Sequence, residues 1–337
     1  MMRFRLGLLA LSVVCGSCSM PPTPISPLAP LAGAGTASSQ RAGDAARSVP
    51  ALSKSQHLLY VANDSFVDPA GPGSVAVYAV RGHDPKLVGE LTNGIDGPRN
   101  LCLTPDGTLY VPNGNSATIA VYPFGHWSPR AMLTADTGYP TGCAVDKGGN
   151  LWVADYANGE VLEFLKGHNK LGTVISGIQC ADSVAFDATG DMYVGFGILF
   201  CPAGIDVFQP GQVTPSQTIT SGLSQDSAVT DIAIGPDGTL YAADAINHDI
   251  VVYPRGSTQY SQKITSKTFG VYPLATATGG QLYAGDNFTV AKRNHYIVVE
   301  FPRGASSPGR RFLSNHERIS DHVRYIAGLA AWPAVAP

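Results

Sequence analysis

An apolar-aromatic strand start recurs six times along the chain, at Leu59-Tyr60, Leu109-Tyr110, Leu151-Trp152, Met192-Tyr193, Leu240-Tyr241 and Leu282-Tyr283. Repeat lengths of about 40 to 50 residues fit one four-stranded blade each and exceed the shorter solenoid repeats. Before five of these starts lies a turn rich in Gly: PDGT at Pro105, KGGN at Lys147, ATGD at Ala188, PDGT at Pro236 and TGGQ at Thr278. Such turns join adjacent antiparallel strands. Ahead of each turn runs an inner strand A: NLCLTP, GCAVD, SVAFD, DIAIGP and PLATA. After each start, strand B, comes an alternating strand C: VAVYAVRG, IAVYPFG, VLEFLKG, IDVFQPG, IVVYPRG and IVVEFPRG. Period-two alternation marks strands that pack on their faces, and a weaker outer strand D fills the remainder.

The ends set the count. The repeats begin on a B strand (Leu58 to Asn63) and finish on an A strand (Tyr325 to Trp332), so the last strand can complete the first blade. This predicts an all-β fold, a six-bladed β-propeller of four-stranded blades, its ring closed by the C-terminal strand joining the N-terminal blade; closure removes the free sheet edges. Charged residues are only 14% of the chain, while Gly (38) and Pro (25) are abundant, as many short strands and tight turns require. A net charge of -3 offers no basic face for phosphates and argues against a nucleic-acid partner.

Residues 1–18 (MMRFRLGLLALSVVCGSC) place Arg3 and Arg5 before a short apolar run, the pattern of an export signal. Cys18, between Ser17 and Ser19, resembles a lipoprotein attachment point, although Cys15 stands where such sites usually carry Leu. Lipid anchoring at Cys18 and free secretion both remain open, and any membrane contact is expected only through that lipid. Residues 19–55 are rich in Pro, Ala and Ser and read as a disordered tether, leaving 56–337 for the propeller. Outside the cytoplasm thiols oxidise; Cys180 precedes an A strand and Cys201 follows the B strand of the same blade, so a Cys180–Cys201 disulfide is expected. Cys102 and Cys143, inside neighbouring A strands, read as buried apolar fillers.

PDGTLYV, GNLWVADYANGEVLEF and DGTLYAADAINHDIVVY resemble NHL repeats and the related gluconolactonase-like propellers, over about Leu58 to Trp332. The resemblance implies a top face formed by the D-to-A and B-to-C loops. It also implies, for the enzymes of that group, a divalent metal held by Glu, Asn and Asp where the A strands begin. The positions that correspond here are Arg99, Thr141, Asp182, Thr230, Tyr272 and Arg324, and one residue further on Asn100 and Asp231. A hard cation needs several oxygen ligands, which this set does not supply. Arg99 and Arg324, brought together by ring closure, could instead clamp a carboxylate or phosphate, or each could pair with Asp182, Asp96 or Asp321.

The last D-to-A connection holds His316, Glu317, Asp321 and His322, with Asp286 and His295 in the B-to-C loop of the same blade. That cluster has the residue types of a transition-metal or acid-base site, but His316 to His322 matches no common zinc spacing. His83, His126 and His168 each follow the Gly closing a C strand and read as turn residues. Asp155 with Asn158, and Asp244 with Asn247, read as turn-forming pairs. No G-x-S-x-G, H-E-x-x-H, P-loop or C-x-x-C motif follows the signal region. The expectation is an exported, monomeric, non-catalytic recognition propeller whose top face takes a small ligand or a protein. Its candidate binding residues are Arg99, Asp182, His295, His316, Asp321, His322 and Arg324. The alternative is a gluconolactonase-like hydrolase or lyase with a nonstandard site. The sequence names no cofactor.

Overall fold

The computed structural model describes residues 51–64, 72–80, 85–134, 136–197, 201–265, 270–290, 293–305, 307, 310–314 and 325–335, all within the compact unit Ser48–Pro337. These residues form six four-stranded antiparallel sheets. The A strands are Ile326–Trp332 (closing the first blade), Cys102–Leu103, Pro140–Val145, Ala181–Phe186, Val229–Ile234 and Gly270–Thr276. Strand Leu58–Asn63 pairs on one side with Ser74–Ala79 and on the other with Ile326–Trp332, Leu59 opposite Ala331 and Val61 opposite Leu329. The chain is a six-bladed β-propeller closed by its last strand.

Packing explains why the B and C strands read as almost continuous apolar runs. Each blade lies between two others, so both faces of a strand are buried and alternate residues serve different interfaces. Leu58, Tyr60 and Ala62 pack with Leu109, Val111 and Tyr122 of the second blade. Leu59 and Val61 pack with Tyr283 and Val298 of the sixth. A one-residue slip would exchange the two sets, which pins the register. The outer strands face solvent along one edge, as the half-exposed Lys86–Leu91 shows, and so carry the weakest pattern. The A-to-B turns each hold a glycine in the left-handed region, Gly238 at φ 84° for example, where other residues are strained.

The top loops of three blades are tied down by the last regular residue of the B strand. Asp155, fully buried, accepts from the backbone N–H of Gly138 (2.6 Å) and Tyr139 (2.8 Å) in the D-to-A loop and from Asn158 Nδ2 (3.0 Å) in the B-to-C turn. Asp244 repeats this with Ser227 Oγ (2.6 Å), Ala228 N–H (3.1 Å) and Asn247 Nδ2 (2.8 Å). Asn113 does the same work in the second blade, accepting from Asp96 N–H at 3.1 Å and donating to the Gly94 carbonyl at 2.8 Å. In the fourth blade the matching residue is Phe196, which has no acceptor. There the Cys180–Cys201 disulfide joins the same two loops.

One cysteine expectation is corrected. Cys102 and Cys143 are buried, but they form a second disulfide with their Cα atoms 5.7 Å apart. They belong to A strands of adjacent blades, which converge on the channel closely enough for the sulfurs to meet.

Asp244→Ala removes a buried acceptor of several hydrogen bonds and is expected to cost about 3 kcal/mol in urea unfolding. Asp226→Ala, exposed in the neighbouring loop, should stay within about 0.5 kcal/mol; equal effects would refute the anchoring role. Non-reducing peptide mapping is expected to recover Cys102 joined to Cys143 and Cys180 joined to Cys201, and any exchanged pairing contradicts this fold.

Candidate functional site

Each A strand carries one extra residue at its top. Its pairing with strand B slips between Pro140 and Cys143, Ala181 and Ser183, Val229 and Asp231, and Val271 and Leu274, and opposite Ala62 and Asn63 in the closing blade. A bulge of this kind takes a residue out of the ladder and re-aims its side chain. Thr141, Asp182, Thr230 and Ala327 are the residues released, and with Arg99 they line the mouth of the channel. The register assigns Tyr272 the same place in the sixth blade. It corrects the last position: the equivalent of Thr141 is Ala327, three residues beyond Arg324, because Asn63 pairs with Ile326 and Ala62 with Gly328. Arg324 lies outside the described residues.

The mouth opens into a cavity of about 530 Å³, within the size range of small-ligand sites. Tyr139, Tyr156, Tyr325, Ala228, Ala245 and Ile246 give it mostly apolar walls. Its floor is a hydrogen bond across the channel, from Asn100 Nδ2 of the second blade to the Thr230 carbonyl of the fifth at 3.4 Å. The A strands crowd together there. A Cβ on Gly142 would fall 2.4 Å from the Asp182 carbonyl oxygen, and one on Gly328 2.3 Å from that of Arg99, so only glycine fits at either place. The cavity is a cup, not a pore.

Two charged groups matter most in it. Arg99 pairs through Nη1 with Asp64 at 3.1 Å, a carboxylate whose side chain is 1% exposed, and donates through Nη2 to the Tyr139 hydroxyl. Its guanidinium carbon sits 5.1 Å from the Tyr139 ring centre. The ion pair described for Arg99 is thus with Asp64, at the end of the first B strand, while Asp182 feels its charge from further off and Asp321 lies outside the described residues. Asp182 is buried, and burial pushes its carboxyl up to about 7, against the opposing pull of Arg99 and the Thr141 hydroxyl beside it. One layer below, Asp231 is also raised by burial, although it accepts from Ile232 N–H (2.8 Å) and Leu274 N–H (2.7 Å).

The other sequence candidates do not join this cup among the described residues. His316, Asp321 and His322, like Cys18, lie outside them. His295 is described only as backbone, opposite Phe288 in the sixth blade. Asp286 pairs with Val271 and occupies the position of Asp155 and Asp244, the loop anchor's place. His126 and His168 sit in turns closed by N–H bonds to Pro123 and Leu165. The sequence reading missed the three tyrosines, which precede or follow strands as ordinary loop aromatics, and Asp64, which reaches Arg99 only once the first two blades pack together.

Residues 51–196 match the family described as SMP-30/Gluconolactonase/LRE-like region. Over that stretch the chain is similar to this family, and its fold is a six-bladed propeller. The match covers less than half of the chain's length. No curated protein sequence matches the chain. Among solved structures, a chain of the Nidogen/Laminin complex superposes with TM-score 0.64 at 13% identity, covering 84% of this chain and 100% of that one. A Bacteroides caccae protein of unknown function superposes with TM-score 0.59 at 13% identity, covering 82% and 98%. At such identities these show the fold alone.

The cup, as far as its rim is described, does not suit a divalent metal. Its described rim offers one carboxyl, which burial holds near neutrality, next to an arginine, where a hard cation needs several anionic or carbonyl oxygens. Among the described residues no group of three His, Cys, Asp or Glu side chains is placed to hold a metal.

Asp182 has a testable linkage. Its folded value near 7 lies above its ordinary 3.8, so the folded state binds the extra proton between those limits. Stability is then present in full below about pH 4 and falls as pH rises through about 7. Asp182→Asn is expected to gain on wild type by on the order of 3 kcal/mol between pH 4 and pH 8 in urea unfolding. A difference that stays constant over that range would show an ordinary carboxyl.

Proposed function

We propose that this propeller is an exported, non-catalytic binding module that takes a small ligand in the cup at the top of its channel. The observation carrying this reading is the rim itself: where a metal-dependent lactonase would need a cage of oxygen ligands, the described rim presents an ion-paired arginine, two threonines, an alanine and one buried acid. The walls supply apolar surface for affinity, and the few polar groups supply orientation. Two disulfides are compatible with export, and the Pro-rich segment 19–55 would serve as a tether from Cys18 or from a freed N-terminus.

The family match over residues 51–196 favours a second reading, a lactone hydrolase. One experiment separates them. Purified protein is assayed for bound metal, then for hydrolysis of an aldonolactone with calcium, magnesium, manganese or zinc added in turn. The binding-module reading expects substoichiometric metal and no hydrolysis above the buffer rate. Metal at one equivalent together with saturable turnover would establish the hydrolase and overturn it.

A further inference from the structure

We infer that the ligand of the cup carries a protonated amine on an apolar body, and that its ammonium group docks on Asp182. The inference rests on the small-ligand reading above and narrows it to a chemical class.

The charge arrangement in the cup points this way. Arg99 is already neutralised by Asp64 and tied to Tyr139, so the described rim does not offer a spare cation for a carboxylate or phosphate ligand. Asp231 has both oxygens engaged by backbone N–H groups of Ile232 and Leu274. Asp182 differs from both. It lines the cavity at a bulge and is 8% exposed. The groups that face it are the Arg99 charge, the Tyr139 phenol and the Thr141 hydroxyl from the two preceding blades and Asp231 from the following one. Those oppose one another, and burial leaves the carboxylate short of stabilisation. An ammonium group in the cavity would supply it, in a dry site where a charged pair counts for more than in water.

The walls suit the same ligand. Tyr139 and Tyr156 stand edge to face, their ring centres 6.3 Å apart, and Tyr325 borders the cavity as well. Aromatic faces attract cations, and the Tyr139 ring already holds one in the Arg99 guanidinium. Ile246, 54% exposed at the rim, and Ala245 extend the apolar surface for the rest of the molecule.

A neutral Asp182 could instead donate to a ligand carbonyl, and the two cases have opposite pH signatures. Docking an ammonium requires the ionised carboxyl, so affinity rises with pH and levels off above the carboxyl's midpoint. Donation to a carbonyl requires the protonated form, so affinity falls over the same interval.

The test uses the full mature protein and three matched probes, 4-phenylbutylamine, 4-phenylbutan-1-ol and 4-phenylbutanoate, titrated by calorimetry from pH 5 to pH 8. The amine is expected to bind tightest, with affinity rising about fifty-fold between pH 5 and pH 7, as the ionised fraction of an acid near 7 does. Asp182→Asn should weaken the amine at least about tenfold at pH 7.5 and leave the alcohol within about twofold. An alcohol that binds as well as the amine, amine affinity independent of pH, or amine binding unchanged in Asp182→Asn would overturn the inference and leave the small-ligand cup standing. Failure of all three probes to bind wild-type protein would overturn both.

Discussion

The top face of this propeller depends on one position repeated around the ring, the end of the regular B strand, where a polar residue anchors the loops of the second, third and fifth blades. Asp155, Asp244 and Asn113 each reach from the sheet into the D-to-A loop, and the two aspartates also bond the B-to-C turn. A buried acceptor facing several N–H donors holds those loops at fixed height. The A strands therefore enter the channel at a common level, and their bulged residues share one ring. The fourth blade shows that the constraint is geometric and not chemical: Phe196 replaces the acid, and a disulfide joins the same loops.

From that level ring the cup follows. Bulges turn Thr141, Asp182, Thr230 and Ala327 toward the axis, glycines at Gly142 and Gly328 let the strands close in beneath them, and Asn100 spans to the opposite blade. The same closure that hides the sheet edges also dries Asp182, so fold and electrostatics have one cause. Burying a carboxyl without enough partners raises its proton affinity, and the opposing field of Arg99 is blunted because Asp64 already holds that guanidinium.

Blade number, strand order and closure were legible in the sequence because they depend on alternation and turn glycines, which are local signals. The paired loop anchors were legible too, since Asp155-Asn158 and Asp244-Asn247 recur as a motif. What escaped depended on register or on contact between blades. Arg324 stood in for Ala327, three residues on, because the register of the last A strand is set by its pairing with the first B strand, at the other end of the chain. Cys102 and Cys143 looked like fillers because strands 41 residues apart in sequence meet only when adjacent blades pack. Asp64 was invisible as the partner of Arg99 for the same reason, and the tyrosine walls have no spacing that marks them.

The central claim is that burial at the mouth of the cup raises the proton affinity of Asp182 against the pull of Arg99 and Thr141. A carbon-13 NMR titration of the Asp182 side-chain carboxyl, assigned through Asp182→Asn, tests it most directly. The account predicts a midpoint at about 7. A midpoint near 4, the value of an aspartate in water, would mean a solvated carboxyl and would contradict the cup.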